Sequence, residues 1–375
     1  MHFIFCLQVG GAENLVKEYA LNLNEKKFNT EVLCLYHCSN NSYESILGNA
    51  GIKVTYISDM IKNTKYSLFD KFFKNIKKFY YVKKYISSVN PDIIHTHLTL
   101  NYYIRYAKPM KNTLIFHTIH SDINQYWMPQ KKDNWKKRIC KQLDYISVKW
   151  LIKNYKTRLI VLHEEMKENA NEMFDINNTI VLNNGIDFES FNHPKSKLEI
   201  RKELGINMDS FVVGHIGRFV ESKNHIFLLD IFEKIHSEND NAVLLLVGDG
   251  ILRKEIQLKV EEKKLSQHVK ILSNRVDIPN LLNSMDVFVF PSKHEGLGIS
   301  LIEAQKIGLY CVVSEKIPKA AIISNLVKVV PLFEEDKWVN AICSEFKENI
   351  EYNDLESWDI KKITNKLEDI YSEVV

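Results

Sequence analysis

The 375 residues contain no uninterrupted apolar stretch near the ~20 that a bilayer crossing needs, which argues against a helical membrane span. The opening MHFIFCLQVGGAE has a short apolar run with no basic segment ahead of it, so it reads as a first strand, not a secretory leader. A disulfide framework is missing too. The six cysteines (6, 34, 38, 140, 311 and 343) are scattered through strand-like and helical stretches, as suits a reducing cytosol. Cys34, His37 and Cys38 cluster at a strand end, but no second ligand pair lies nearby to complete a zinc site. Short repeats and low-complexity tracts are absent. The G-x-G-x-x-G fingerprint is absent as well: the first strand-to-helix turn is QVGGAEN. The next strand ends in Tyr36, His37 and Cys38, without the acidic residue that holds an NAD ribose. A nicotinamide dehydrogenase is thereby disfavoured.

What is present describes a folded enzyme-sized chain. Hydrophobic residues make up 45% and charged residues 26%, enough for an ample core, and the length favours two domains. Strand-like runs alternate with helix-like ones: FIFCL, TEVLCLY, KVTYI, DIIHTH, TLIFHTIH, RLIVLH and TIVLN, then SFVVGHIG, AVLLLVG, VKIL, DVFVF, YCVVS and VKVVP. This alternation predicts α/β architecture with two Rossmann-like, doubly wound domains facing a cleft. The apolar periodicity lapses over 183–197, so the expected domains are 1–190 and 191–375. The last segment, about 357–375, has helical spacing and can pack back on the N-terminal domain.

The stretch with the most chemical content is KHEGLGISLIEAQ, residues 293–305. The apolar run before it, ending at Pro291, reads as a buried strand, and Ile299 to Gly308 reads as a helix. Gly296 and Gly298 then lie in a strand-to-helix turn where a ligand can approach the backbone. The helix start offers unpaired amides to an anion. Carboxylates beside such a site accept hydrogen bonds from hydroxyls. Glu295 on the turn and Glu303 one turn into the helix can each hold a diol on either side of a phosphate, the order of groups in a nucleotide sugar. The plainer reading is a solvated loop glutamate and a helix-face glutamate. In GRFVESKNH, Arg218 and Lys223 follow another strand; a fork-shaped and a point-like cation suit a diphosphate. VGDG (247–250) shapes a turn, with Asp249 read as a helix cap, and the backbone of NRVDIP (274–279) can meet a base edge. Gly10 and Gly11 either let a ligand approach or simply make a tight turn. His95, His97, His117 and His120 sit near two strand ends, as core histidines or facing a ligand.

Taken in order, GGAE, GR…K, VGDG, NRVDIP and HEGLGISLIEA resemble family-4 retaining glycosyltransferases of the GT-B fold, nearest the branch that builds capsular polysaccharide and exopolysaccharide. The resemblance implies a nucleotide-sugar donor, preferably UDP-linked, on the C-terminal domain and an acceptor on the N-terminal one. It implies donor contacts from Gly11, Arg218, Lys223, Ile278, Leu297, Gly298, Ile299 and Glu303. Glu295 and His120 would take catalytic places, and His97 is an acceptor-side candidate. It implies no metal and no cofactor beyond the nucleotide sugar, and no nucleic-acid partner. Departures are Tyr310, where the family often has proline, His163, where it often has serine, and a loose match over 315–322. A non-catalytic nucleotide-sugar-binding subunit and a glycoside hydrolase are the competing readings.

Charge is uneven. Residues 1–190 hold 26 Lys+Arg against 18 Asp+Glu, +8, while the rest holds 24 against 29, −5. Lysines concentrate over 62–85 and in KKDNWKKR. In YSLFDKFFKNIKKFYYVKKYI, Phe69, Phe72, Phe73, Ile76 and Tyr80 form a stripe expected to pack on the sheet. The lysine face, including Lys71, Lys74, Lys78 and Lys84, is either solvated or suited to an anionic membrane surface. A cytoplasmic enzyme, peripheral on the inner membrane face, is the expected setting.

Overall fold

The computed structural model describes residues 1–373 apart from 9, 39–41, 62–67, 131–132 and 345–348, with the side chains of 68–74 and 125 also undescribed. It divides into two compact units, Met1–Gly185 with Ile360–Val375, and Ile186–Asp359. The first unit therefore closes at Gly185, ahead of the expected 190, and takes back the C-terminal helix. A Cβ on Gly185 would stand 2.6 Å from the Cα of Ile360, so this junction excludes any larger residue.

The first unit holds seven strands: β1 (His2–Ile4), β2 (Glu31–Cys34), β3 (Lys53–Tyr56), β4 (Ile93–His97), β5 (Leu114–Thr118), β6 (Arg158–Val161) and β7 (Ile180–Val181). They form one parallel sheet in the order β3-β2-β1-β4-β5-β6-β7. The second unit has β8 (Phe211–Ile216), β9 (Ala242–Val247), β10 (Val269–Leu272), β11 (Val287–Phe290), β12 (Cys311–Ser314) and β13 (Val327–Val330). Its parallel order is β10-β9-β8-β11-β12-β13. Central strands such as AVLLLV and VFVF are apolar throughout because helices cover both faces of a parallel sheet. In each sheet the winding reverses beside the first strand, at β1/β4 and at β8/β11, where ligands of open α/β sheets bind past the carboxyl ends.

The helix Ile360–Ser372 buries Ile360, Ile363, Leu367 and Tyr371 in one cluster with Leu15 and Tyr19 of the helix Gly11–Asn22 and Leu23 at its C-cap. Burial of each large apolar side chain contributes about 1.5–3 kcal/mol. Glu368 fixes the angle by accepting from the Asn24 amide at 2.7 Å.

The expected stripe of the helix Leu68–Val89 is corrected in its described part. Ile76 and Tyr80 are exposed, and the buried face is instead Val82, Tyr85 and Ile86, with Phe79 against it. Lys78, expected on the solvated face, is buried with its Nζ 2.7 Å from the Tyr36 hydroxyl. The side chains of Phe69, Lys71, Phe72, Phe73 and Lys74 lie outside the described residues.

Candidate functional site

In the second unit, β8 runs into a loop that ends in the 3-10 turn Glu221–Lys223 and the helix His225–Glu238. The loop after β9 lies against it. The amide of Phe219 donates to the Asp249 carbonyl at 2.8 Å, and the Leu252 amide to the Phe219 carbonyl at 3.0 Å. Gly248 has φ +150°, and a Cβ there would sit 2.0 Å from the Gly217 carbonyl oxygen. Only glycine permits that backbone and that approach. Asp249 does not cap a helix: its carboxylate accepts from the Gly250 amide at 2.7 Å and pairs with Arg253, and the helix Arg253–Glu262 begins beyond it.

A third loop follows β11. The Lys293 amide donates to the Ser222 carbonyl at 2.7 Å, tying this loop to the end of the first. The consequence is a direct ion pair between two of the expected residues: Lys223 Nζ is 2.6 Å from Glu295 Oε1, with only 16% and 9% of the side chains exposed. The ammonium also lies 4.6 Å from the centroid of the Phe290 ring, a cation–π arrangement. Gly298 then takes φ +91° as the N-cap of the helix Ile299–Lys306. A Cβ on it would come within 3.1 Å of the Phe290 ring, so conformation and packing both select glycine.

The other expected residues fall around this centre. Arg218 is exposed on the first loop, Leu297 is buried, and Glu303 is half-buried one turn into the helix that Ile299 begins. Ile278 is half-buried at the start of Ile278–Asn283, whose N-cap Asp277 pairs with Arg275 Nε at 2.7 Å. Gly11 belongs to the first unit. It is exposed as the first residue of its helix, and a Cβ there would meet nothing within 4 Å, so nothing in its own unit demands glycine. A cavity of about 620 Å³ lined by this unit's residues lies at the opposite ends of the strands, beside Phe211, Val287 and Tyr310.

The histidines of the first unit are brought together by strand register. His2 on β1 pairs with His95 on β4, and His97 follows two positions later on the same face. His2 Nδ1 stands 3.2 Å from His97 Nε2, and His97 Nδ1 stands 3.0 Å from His120 Nε2. His97 is thus fully buried and held from both sides, and the Nδ1 of His120 is buried without a hydrogen-bond partner. His117 lies on the other face, 2.9 Å from Thr96 Oγ1. His2, His95 and His97 have metal-like spacing, but both nitrogens of His95 are engaged by Tyr371 and Thr118 and both of His97 by other rings. Among the described residues no carboxylate joins them to balance a dication, so the group fits a neutral hydrogen-bonded chain better than an ion site.

Residues 196–356 match the family described as glycosyl transferases group 1, and residues 9–190 that described as glycosyltransferase family 4. The chain belongs to glycosyltransferase family 4. It is 28% identical over 320 residues to an Escherichia coli UDP-Gal:alpha-D-GlcNAc-diphosphoundecaprenol alpha-1,3-galactosyltransferase, covering 80% of both chains. It is 25% identical over 386 residues to the capsular polysaccharide biosynthesis glycosyltransferase CapH of Staphylococcus aureus, covering 99% and 98%. Among solved structures, Anabaena HepE in complex with UDP-glucose superposes with a TM-score of 0.71 at 18% identity over the whole of both chains. WaaG, a glycosyltransferase involved in lipopolysaccharide biosynthesis, gives 0.68 at 13% identity over 99% and 94%. The fold of this glycosyltransferase is GT-B.

Two features of this glycosyltransferase escaped the sequence reading. In the sequence Phe290 is only the end of an apolar strand, although its place just before Pro291 puts it at the site. His215 and His225 were passed over; their rings lie 4.8 Å apart beneath the Lys223 loop, with His215 Nδ1 2.8 Å from the Val289 carbonyl. Burial holds His215 down to about 3 and His225 to about 2. Burial does the same to His2, His117 and His120, each to about 3. All five are neutral when folded and take up protons when unfolded. Their effect on stability is absent above the ordinary histidine value, and destabilisation grows as pH falls from about 6.5 toward 3. Each contributes up to about 1.4 kcal/mol per pH unit in that window. Asp144 opposes them singly, because burial raises its carboxyl to about 7. Thermal melts of the glycosyltransferase should therefore shift steeply downward between about pH 7 and about pH 5. An unchanged Tm across that range contradicts the neutral assignment.

Proposed function

We propose that this glycosyltransferase moves a hexose from a UDP-sugar, with retention of anomeric configuration and without a metal ion, to a lipid-linked or cell-surface glycan. The observation that carries the reading is the Lys223–Glu295 pair seated on Phe290 beside the Gly298 helix start. It gathers a cation, a hydroxyl acceptor and unpaired helix amides at one place. Lys223, with Arg218, takes the diphosphate and stabilises its developing charge as it leaves. Entry of the phosphates draws Lys223 away from Glu295, whose carboxylate then accepts from the donor sugar's hydroxyls. Backbone at Leu297, Gly298 and Ile299 meets sugar and phosphate, Glu303 takes the ribose diol, and Ile278 lies along the base. His120 serves the reacting centre, its bare Nδ1 available for a hydrogen bond, with His97 behind it on the acceptor side. Support for the donor and acceptor classes comes from the UDP-glucose complex of HepE and from the lipid-diphosphate substrate in the name of the Escherichia coli relative.

A hydrolase reading requires one of the two carboxyls to act as an acid across the scissile bond. A lysine ion pair on Glu295 opposes that role. Among the described residues no helix is long and apolar enough to cross a membrane, and we place the enzyme on the cytoplasmic side, where the donor is available. Incubation of the purified protein with UDP-galactose, UDP-glucose or UDP-GlcNAc and a GlcNAc-diphospholipid in excess EDTA tests the proposal. Transfer from at least one donor is expected. Binding of a UDP-sugar with no turnover identifies a non-catalytic subunit, and sugar released from a glycan without donor identifies a hydrolase.

A further inference from the structure

Three helices of the first unit lie side by side: Leu68–Val89 against Asn101–Ala107, and that against Trp135–Tyr155. Aromatic rings bind them together, with Phe79 4.3 Å from Tyr103 and 5.3 Å from Tyr106, and the Arg105 guanidinium 5.7 Å from the centre of Trp150. Their outward face departs from an ordinary enzyme surface in two respects.

The first is apolar exposure in a line. On Trp135–Tyr155, Trp135 is 66% exposed, Ile139 49%, Leu143 46% and Ile146 42%. Spacings of four, four and three put all of them on one side of the helix, a stripe roughly 16 Å long at 1.5 Å per residue. The same helix buries Asp144, Ser147, Val148 and Leu151 on its opposite side, so the stripe is not the face that packs on the unit. Tyr106 on the middle helix and Ile76 and Tyr80 on the first extend the exposed apolar surface. A groove of about 570 Å³ runs between them, walled by Phe79, Tyr102, Tyr106 and Trp150.

The second is charge of one sign. Among the described side chains of the three helices the single carboxylate is Asp144, which is fully buried. Lys136 and Lys149 are exposed on the helix that carries the stripe and Lys77, Lys83 and Lys84 on the first helix, and Arg105 and Lys83 line the groove. Surface lysine is normally interspersed with Asp and Glu, whereas here cations frame apolar side chains. Apolar side chains at the centre, Trp and Tyr among them, and lysines at the edge match the two layers of a bilayer interface, acyl chain and anionic headgroup. A protein partner for so uniformly basic a face would need an equally uniform acidic surface, and a second copy of the chain would oppose lysine to lysine.

We propose that this face docks on an anionic lipid bilayer, with Trp135, Ile139, Leu143 and Ile146 entering the headgroup–acyl boundary and the surrounding lysines meeting lipid phosphates. The inference concerns the first unit alone and does not depend on which donor or acceptor the enzyme uses. It also replaces the sequence expectation of a purely electrostatic lysine face, since Lys78 is turned inward to Tyr36.

Vesicle sedimentation of the full chain tests it, using phosphatidylcholine alone and phosphatidylcholine mixed with phosphatidylglycerol. Binding is expected to the mixed vesicles, to weaken with salt, and to fall about tenfold or more in each of two double variants. One is Ile139→Ser with Leu143→Ser; the other is Lys136→Glu with Lys149→Glu. All four positions are exposed, and retained UDP binding with an unchanged melt shows that each variant is folded. Loss in the lysine variant alone, with the serine variant binding like the wild type, overturns insertion. Equal binding to both vesicle types overturns the anionic requirement. A chain that ignores vesicles but forms a dimer abolished by the serine variant overturns the proposal in favour of a second copy.

Discussion

Replacing Lys223 or Glu303 by alanine is expected to weaken UDP binding by about tenfold or more, without unfolding the second unit. A hydrogen bond to a charged group contributes roughly 1.5–3 kcal/mol, and each 1.4 kcal/mol is a factor of ten in affinity. Lys223→Ala carries the larger effect. It removes a cation from the diphosphate and also leaves the Glu295 carboxylate, 9% exposed, without the ammonium 2.6 Å away. That unpaired carboxylate repels the incoming phosphates. Lys223→Arg keeps the charge and should recover part of the loss. Glu295→Gln makes the informative contrast: UDP alone should bind nearly as before, whereas the added affinity from the sugar should disappear. Calorimetry with UDP and with the UDP-sugar separates these outcomes. Unchanged UDP affinity in both alanine variants removes Lys223 and Glu303 from the donor site.

The second large effect comes from one added methyl group, with no change of charge. Gly248→Ala would place a Cβ 2.0 Å from the Gly217 carbonyl oxygen, at φ +150°. Neither backbone can yield cheaply, because Gly217 donates to the Val247 carbonyl at 2.9 Å and Gly248 to the Leu272 carbonyl at 2.8 Å. A cost of several kcal/mol is expected, from strain in a glycine-only region plus steric displacement. At about 2–4 °C per kcal/mol for a unit of this size, the melt should drop by roughly 10 °C. The displaced loop carries Arg218 and Lys223, so UDP binding should fall with it. The neighbouring Asp249→Ala, which leaves the backbone free of strain and removes a half-exposed carboxylate with its bonds to the Gly250 amide and Arg253, should change both properties far less. A Gly248→Ala protein with wild-type melt and UDP affinity contradicts the account of how the loops are held.

The alternation of apolar strands and helices was visible directly, because parallel strands buried on both faces, such as AVLLLV and VFVF, are nearly continuous apolar runs. The positions of Arg218, Lys223, Glu295 and Gly298 just past strand ends followed from that pattern. Their contacts did not. Lys223 and Glu295 are 72 positions apart, and their pairing depends on the β8/β11 adjacency and on the Lys293–Ser222 bond between loops. The His2–His97–His120 chain depends likewise on β1 lying beside β4. Helix faces were less legible still. In a stretch as rich in aromatic residues and lysine as 68–89, several stripes share the 3.6-residue period, and burial of Val82, Tyr85 and Ile86 left Ile76 and Tyr80 outside. The exposed stripe of Trp135–Tyr155 gave no warning, because apolar residues at helical spacing ordinarily mean core.

Retention and independence of metal in the proposed transfer from a UDP-sugar are both read from the product of the reaction. The enzyme would be given a UDP-α-sugar and a GlcNAc-diphospholipid in excess EDTA, and the new linkage read by the anomeric coupling in proton NMR. An α-linked product is expected, formed in EDTA at the same rate as with added divalent ion. A β-linked product, or transfer that appears only when the ion is restored, would contradict the proposed transfer.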